Sequence, residues 1–231
     1  MSPLRSFVRF FLSIRVAPAI ALASILASSS FPAGANAASC TVGETGTPTT
    51  SYNLLDLRDL TAYQLIDAAD CAACSGGALV PVQLRWQIRY YTSLCPLTFE
   101  VTIVASDHGT CPRPDTTLVL CPPFTSVYAA SGSAPHVATI PFPPGCCLDG
   151  PAFVRVRIID TGGCGFGTLA FFARSCSITV PCRSYVSFAG TPLDDACTVL
   201  GDSPTIAVDA SCCASTPARR TSWGGLKLHY R

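Results

Sequence analysis

Lysine is almost missing from this chain of 231 residues, with Lys227 its one example. Between residues 38 and 213 the cations are 8 arginines, set against 14 Asp and Glu. A body with that balance lacks the basic stripe needed to neutralise phosphates, which argues against nucleic acid as a partner. Histidine is scarce too, and His108, His136 and His229 are the only near-neutral bases. No G-x-S-x-G elbow accompanies them, and Asp107-His108 with Asp115 reads as a solvated turn before it reads as part of a triad. No catalytic residue is therefore assigned.

Other absences remove further classes. Cys71-Ala72-Ala73-Cys74 has no second C-x-x-C to complete a zinc site and no flanking βαβ pattern to make it thioredoxin-like. Gly163 to Gly167 lacks the spacing of a dinucleotide fingerprint. Asp194, Asp195 and Asp202 lack an EF-hand pattern, and nothing marks a carboxylate pair around Glu44 or Glu100 for glycoside hydrolysis. No cofactor and no metal is expected. The longest apolar run, residues 16–27, is about a dozen long against the ~20 needed to span a bilayer.

That run does fit a secretory signal. Arg5, Arg9 and Arg15 form the basic region before it, and Ala35-Asn36-Ala37 supplies a small-residue cleavage site after it. Residues 1–37 are expected to be removed by the export machinery, leaving a mature chain from Ala38 with no transmembrane span and an extracellular or cell-surface destination. The rival reading is a lipidated Cys40 behind Ala37-Ala38-Ser39. It puts the lipobox about ten residues beyond the apolar run and leaves an odd number of cysteines.

All 14 cysteines lie in the exported part: Cys40, Cys71, Cys74, Cys95, Cys111, Cys121, Cys146, Cys147, Cys164, Cys176, Cys182, Cys197, Cys212 and Cys213. An even count behind an export signal predicts a disulfide framework whose pairing cannot be read from spacing. The neighbours Cys146-Cys147 and Cys212-Cys213 are expected to reach different partners, because adjacent side chains on extended backbone point to opposite sides.

Strands dominate what remains. Residues 80–92 alternate Val80, Val82, Leu84, Trp86, Ile88 and Tyr90 with mostly polar neighbours, and 97–105 repeat the device, so the short Cys95-Pro96 connection predicts an antiparallel hairpin. Further strands are expected over 116–120, 126–130, 137–142, 153–159, 169–175, 177–180, 185–189 and 205–209, with 52–69 ambiguous between helix and short strands. Many short strands punctuated by Gly, Pro and Cys predict an all-β fold, an antiparallel, jelly-roll-like β-sandwich stapled by disulfides. The expected organisation is a flexible leader at 38–51, one Cys-rich domain at 52–213 and a linker with a short tail at 214–231.

The closing Ile206-Ala207-Val208-Asp209-Ala210-Ser211-Cys212-Cys213 and the tail Trp223, Gly224, Lys227, Tyr230 and Arg231 resemble a group of uncharacterised exported bacterial Cys-rich β-sandwich proteins. The resemblance implies an extracellular or surface location rather than an activity, and the tail is expected to serve a surface-sorting system. It leads to a non-enzymatic structural or interaction protein with a glycan or protein ligand. A carbohydrate-binding or adhesive module is the alternative, to be recognised by two or more exposed aromatics on a sheet face. Tyr91 supplies one, on the polar side of its strand. A secreted hydrolase is the second alternative.

Overall fold

The computed structural model describes residues 39–52, 60–74, 77–91, 95–107, 109–129, 135–163, 169–188 and 191–213. The strands among them are β1 (Ser39–Gly43), β2 (Thr50–Tyr52), β3 (Thr61–Ile66), β4 (Leu79–Tyr90), β5 (Leu97–Ser106), β6 (Pro114–Tyr128), β7 (Pro135–Pro141), β8 (Ala152–Asp160), β9 (Leu169–Ser175), β10 (Ser184–Ser187), β11 (Asp194–Asp195), β12 (Asp202–Pro204) and β13 (Ile206–Cys212). One turn of helix, α1 (Ala196–Val199), separates β11 from β12. The signal, the linker and the tail lie outside the described residues.

The strands form two antiparallel sheets. One runs β1-β13-β4-β9-β12, with β2 also on β9 and β7 on β4, and the other runs β11-β10-β3-β8-β5-β6. They pack as a sandwich around a single large core that takes Leu84, Trp86 and Ile88 from β4, Phe99 and Val101 from β5, Val154 and Val156 from β8, and Phe171 from β9. Trp86 is the largest of these and has no exposure; its ring lies 5.8 Å from Phe99 of the opposite sheet and 6.1 Å from Phe171 beside it. The expected disulfide-stapled, antiparallel β-sandwich is the observed fold.

Several local expectations are corrected. Strands β4 and β5 make no hairpin: β4 pairs with β13, β7 and β9, whereas β5 pairs with β6 and β8 in the other sheet. Alternation specifies which face of a strand is apolar, and two strands facing one core from opposite sheets carry the same pattern as two neighbours. The leader at 38–51 carries β1, paired residue for residue with β13 from Ser39↔Ser211 to Gly43↔Ala207, and β2 on β9. Val42 is buried there, and Cys40 is covalently tied, so a polar stretch is recruited by two inward side chains. Gly43 ends β1 with φ +96°, where a Cβ would come within 2.8 Å of the Ile206 carbonyl oxygen.

The strands expected at 116–120 and 126–130 fuse into the long edge strand β6, which runs through Pro122 and Pro123. Prolines are tolerated at an edge because one side of the ladder needs no donor. Residues 177–180 are turn and bend, closed by Ile178 N–H donating to the Ser175 carbonyl. The ambiguous 52–69 region supplies β3 and then a 3-10 turn, Ala68–Asp70, capped by Asp67.

Not every strand is half-buried. β3, β5 and β8 bury residues on both faces, because Tyr63, Leu65, Val104, Phe153 and Tyr185 form a second, smaller cluster on the outer side of their sheet. Tyr185 stands edge-on to Phe153 at 5.6 Å and donates its hydroxyl to the Pro112 carbonyl, pinning the β5–β6 connection over the sheet. The Cys111–Cys182 disulfide fastens the same cover.

Candidate functional site

Sulfur chemistry sets this molecule apart, so the site is built from the cysteines. Six disulfides join described residues: Cys40–Cys71, Cys74–Cys212, Cys111–Cys182, Cys121–Cys146, Cys147–Cys213 and Cys176–Cys197. Cys95 is disulfide-bonded as well, and Cys164 lies outside the described residues, as do Trp223, Gly224, Lys227, Tyr230 and Arg231. The vicinal cysteines do reach separate partners, and Cys147–Cys213 links one vicinal pair to the other. Cys121–Cys146 crosses from β6 of one sheet to the turn after β7 of the other, and Cys176–Cys197 ties the end of β9 to α1. The staples thus tie strand ends and connections together, and Cys71, Cys74 and Cys121 carry them into the buried core.

Two of these bonds converge. Cys71 precedes and Cys74 ends a 3-10 turn, Ala72–Cys74, held by Cys74 N–H donating to the Cys71 carbonyl at 3.0 Å. Their sulfurs lie 3.2 Å apart although each is bonded elsewhere, and the Cys40 sulfur completes a group of three within 4.8 Å of one another. Cys71 and Cys74 are buried, whereas Cys40 and Cys212 are partly buried against the core. Spacing alone exposed the C-x-x-C but gave no hint that Cys40 and Cys212 come from opposite ends of the domain to meet it.

Among the described residues, surface depressions lie elsewhere, and two of them bear on ligand binding. Between β6 and β7, Leu120, Pro122, Pro123, Phe124, Phe142 and Pro143 line an apolar cavity of about 290 Å³, with Phe124 and Phe142 edge-to-face at 5.5 Å. Nearby β6 exposes Leu118, Val119 and Leu120 in succession. The second depression holds Arg174 and Arg183, but Arg174 is paired with Glu44 at 3.0 Å and Arg183 with Asp70, so its charges are already matched. No single-sign field results to draw a charged ligand.

Of the three carboxylates considered for calcium, Asp195 and Asp202 are consumed by structure, and Asp194 is exposed on β11. Asp195 caps α1 by accepting from Cys197 N–H and Thr198 N–H, and its other oxygen accepts from Cys182 N–H. Asp202 accepts the Tyr52 hydroxyl. That contact acts together with burial, the larger cause, to push the Tyr52 phenol far above its ordinary range. His136 sits on edge strand β7, its ring edge-on to Tyr90 at 6.1 Å, while His108 and His229 lie outside the described residues. Asp107 accepts from Gly109 N–H and Arg113 N–H, which is the solvated-turn role expected of it. Tyr91 is the exposed ring foreseen, with the Arg89 guanidinium 4.9 Å from its centroid.

Tyr90 carries a pH prediction. Its hydroxyl donates to the Cys95 carbonyl at 2.9 Å, and burial, followed by the neighbouring Tyr128, pushes its phenol up to about 12. A value raised in the folded state favours the neutral, folded form, so this stabilisation is intact below the ordinary value near 10 and is lost as pH rises through 12. Urea unfolding between pH 9 and 12 should show stability falling with pH, and Tyr90→Phe should flatten that slope; an unchanged slope in the variant would discard the assignment.

No family model matches the chain, and no curated protein does. Among solved structures it is similar to the cysteine protease and lectin-like domains of Cwp84, a surface-layer-associated protein of Clostridium difficile, at 11% identity with a TM-score of 0.48. The likeness covers 76% of this chain and 36% of that one. It is too remote to carry an argument about location, ligand or activity. Among the described residues no helix is long and apolar enough to cross a membrane.

Proposed function

We propose that the chain is an exported, non-enzymatic structural or interaction protein of the extracellular space or cell surface, and that residues 221–231 act as its sorting or attachment signal. The observation that carries the reading is the density of disulfides in the sandwich, six of them between described residues. Cross-links at this density persist in oxidising compartments and are rare where thiol buffers keep cysteines reduced. The amino-terminal Arg-rich, apolar and Ala35-Asn36-Ala37 segments supply the matching route out of the cytoplasm.

The carbohydrate-binding alternative draws less support. It calls for several exposed rings on one sheet face, and Tyr91 is the one aromatic among the large exposed hydrophobics of the described residues.

The test is expression of the full chain and of a chain lacking residues 221–231 in an exporting bacterium, followed by fractionation and non-reducing gels. The full chain should be recovered oxidised, outside the cytoplasm and retained at the surface. The truncated chain should be equally oxidised but released or misplaced. Equal retention of both forms would remove the sorting role, and a reduced cytoplasmic pool as the main product would remove the exported reading itself.

A further inference from the structure

We propose that Cys40, Cys71, Cys74 and Cys212 form a thiol–disulfide exchange relay, whose substrate class is a small-molecule thiol or the dithiol of an exported oxidoreductase. Nothing in the pairing alone requires this. The case rests on the 3.2 Å approach of the Cys71 and Cys74 sulfurs across two different disulfides, and on the distribution of exposure around them.

The outer cysteines, Cys40 and Cys212, are only partly buried and so are the more accessible ends of the junction, whereas the inner ones, Cys71 and Cys74, are buried with their sulfurs in contact. A thiolate attacking the Cys40 sulfur forms a mixed disulfide there and expels the Cys71 thiolate. That thiolate is generated against the Cys74 sulfur and attacks it, closing Cys71–Cys74 and expelling the Cys212 thiolate, which takes up the proton the attacking thiol had lost. A second thiol then resolves the mixed disulfide on Cys40. Two external thiols have become one external disulfide, and the protein holds one disulfide fewer, with thiols on Cys40 and Cys212.

Attack from the other side converges on the same product. A thiolate at Cys212 expels Cys74, and Cys74 attacks Cys71 and expels Cys40. The product is geometrically accessible, because the Cys74 N–H to Cys71 carbonyl bond makes residues 71–74 a tight turn. Such turns bring their end Cα atoms within about 7 Å, at the edge of the range a disulfide spans.

Structurally, the exchange converts two long-range staples into one local link. Cys40–Cys71 and Cys74–Cys212 hold the edge strand β1 and the end of β13, at sequence separations of 31 and 138. A bond between Cys71 and Cys74 holds neither.

The oxidised chain should be treated with limiting reduced glutathione at pH 8, quenched in acid, alkylated and mapped by mass spectrometry. The expected two-electron product of the junction carries label on Cys40 and Cys212 together with an intact Cys71–Cys74 link. Label on Cys40 with Cys71, or on Cys74 with Cys212, the other bond surviving, would overturn the relay, as would a junction that reduces only once the chain unfolds. A parallel reduction by a phosphine at pH 3, where thiolates are suppressed and exchange stops, should instead label bonded partners together. If it too returns Cys71–Cys74, the pairing on which the relay stands is wrong.

Discussion

Replacing Trp86 by alanine is expected to lower the stability of the oxidised protein by about 3–5 kcal/mol. The indole is fully buried at the centre of the sandwich, in contact range of Phe99 from the facing sheet and Phe171 from its own. Both neighbours belong to strands paired along their edges, so the sheets have little room to collapse into the void. Trp86→Phe should cost far less, about 1–2 kcal/mol, because it keeps aromatic contact with both rings. It also removes an indole N–H that has no hydrogen-bond partner, so no group is orphaned by the change. Urea denaturation followed by circular dichroism, with the disulfides intact, separates the two. Equal losses for the two variants would mean that the ring does not hold the sheets together.

The double replacement Cys74→Ala with Cys212→Ala should be comparably severe, at about 4 kcal/mol. The sequence separation of 138 overstates the loop this bond closes, since Cys121–Cys146 and Cys147–Cys213 shorten the path in the unfolded chain to roughly 50 residues. The chain-entropy relation then gives the stated figure. Removing Cys40–Cys71 by the same double replacement should cost less, about 3–4 kcal/mol, because its loop is shorter. Thermal and urea unfolding of the two variants would check the order. A Cys74, Cys212 variant as stable as the parent would show that the neighbouring Cys147–Cys213 bond already fixes the end of β13.

What could be read in advance follows from the range over which each signal acts. Of the alternating set, Leu84, Trp86, Ile88 and Tyr90 do face inward, because a period of two is local and buried strands must obey it. Val82 is exposed and Leu79 and Pro81 are buried instead, where the pairing of β4 with β13 shifts register between Asp209 and Ala210. The partners of β4 were not plain. Cys95-Pro96 looks like a hairpin turn, and nothing in residues 80–105 distinguishes a chain that doubles back beside itself from one that crosses to the facing sheet. β1 was missed for a related reason: Ser39 to Gly43 has one buried apolar side chain, Val42, and its strand character comes from the β13 edge it lies against.

At the junction, composition and spacing announced a C-x-x-C and an even cysteine count. The convergence of Cys40, Cys71, Cys74 and Cys212 depends on β1 and β13 lying side by side, a contact between residues far apart in the chain, and no local pattern encodes it. The divergence of each vicinal pair could be foreseen from side-chain direction, but the identity of the four partners could not. The Leu118-Val119-Leu120 run is a third case, since its strand could be foreseen from 116–120 but its exposure on edge strand β6 could not.

The pairing of Ser39 with Ser211 places the two ends of the domain side by side, and that has a mechanical meaning. In a protein fixed at one end and pulled at the other, adjacent antiparallel terminal strands peel apart one hydrogen bond at a time, the weakest way to load a sheet. Here the force never reaches the ladder. From Cys40 it passes through one disulfide to Cys71, along the backbone to Cys74, and through the next disulfide to Cys212. The clasp closes the load path in four residues and leaves the sandwich hanging beside it, slack, for as long as both bonds are made.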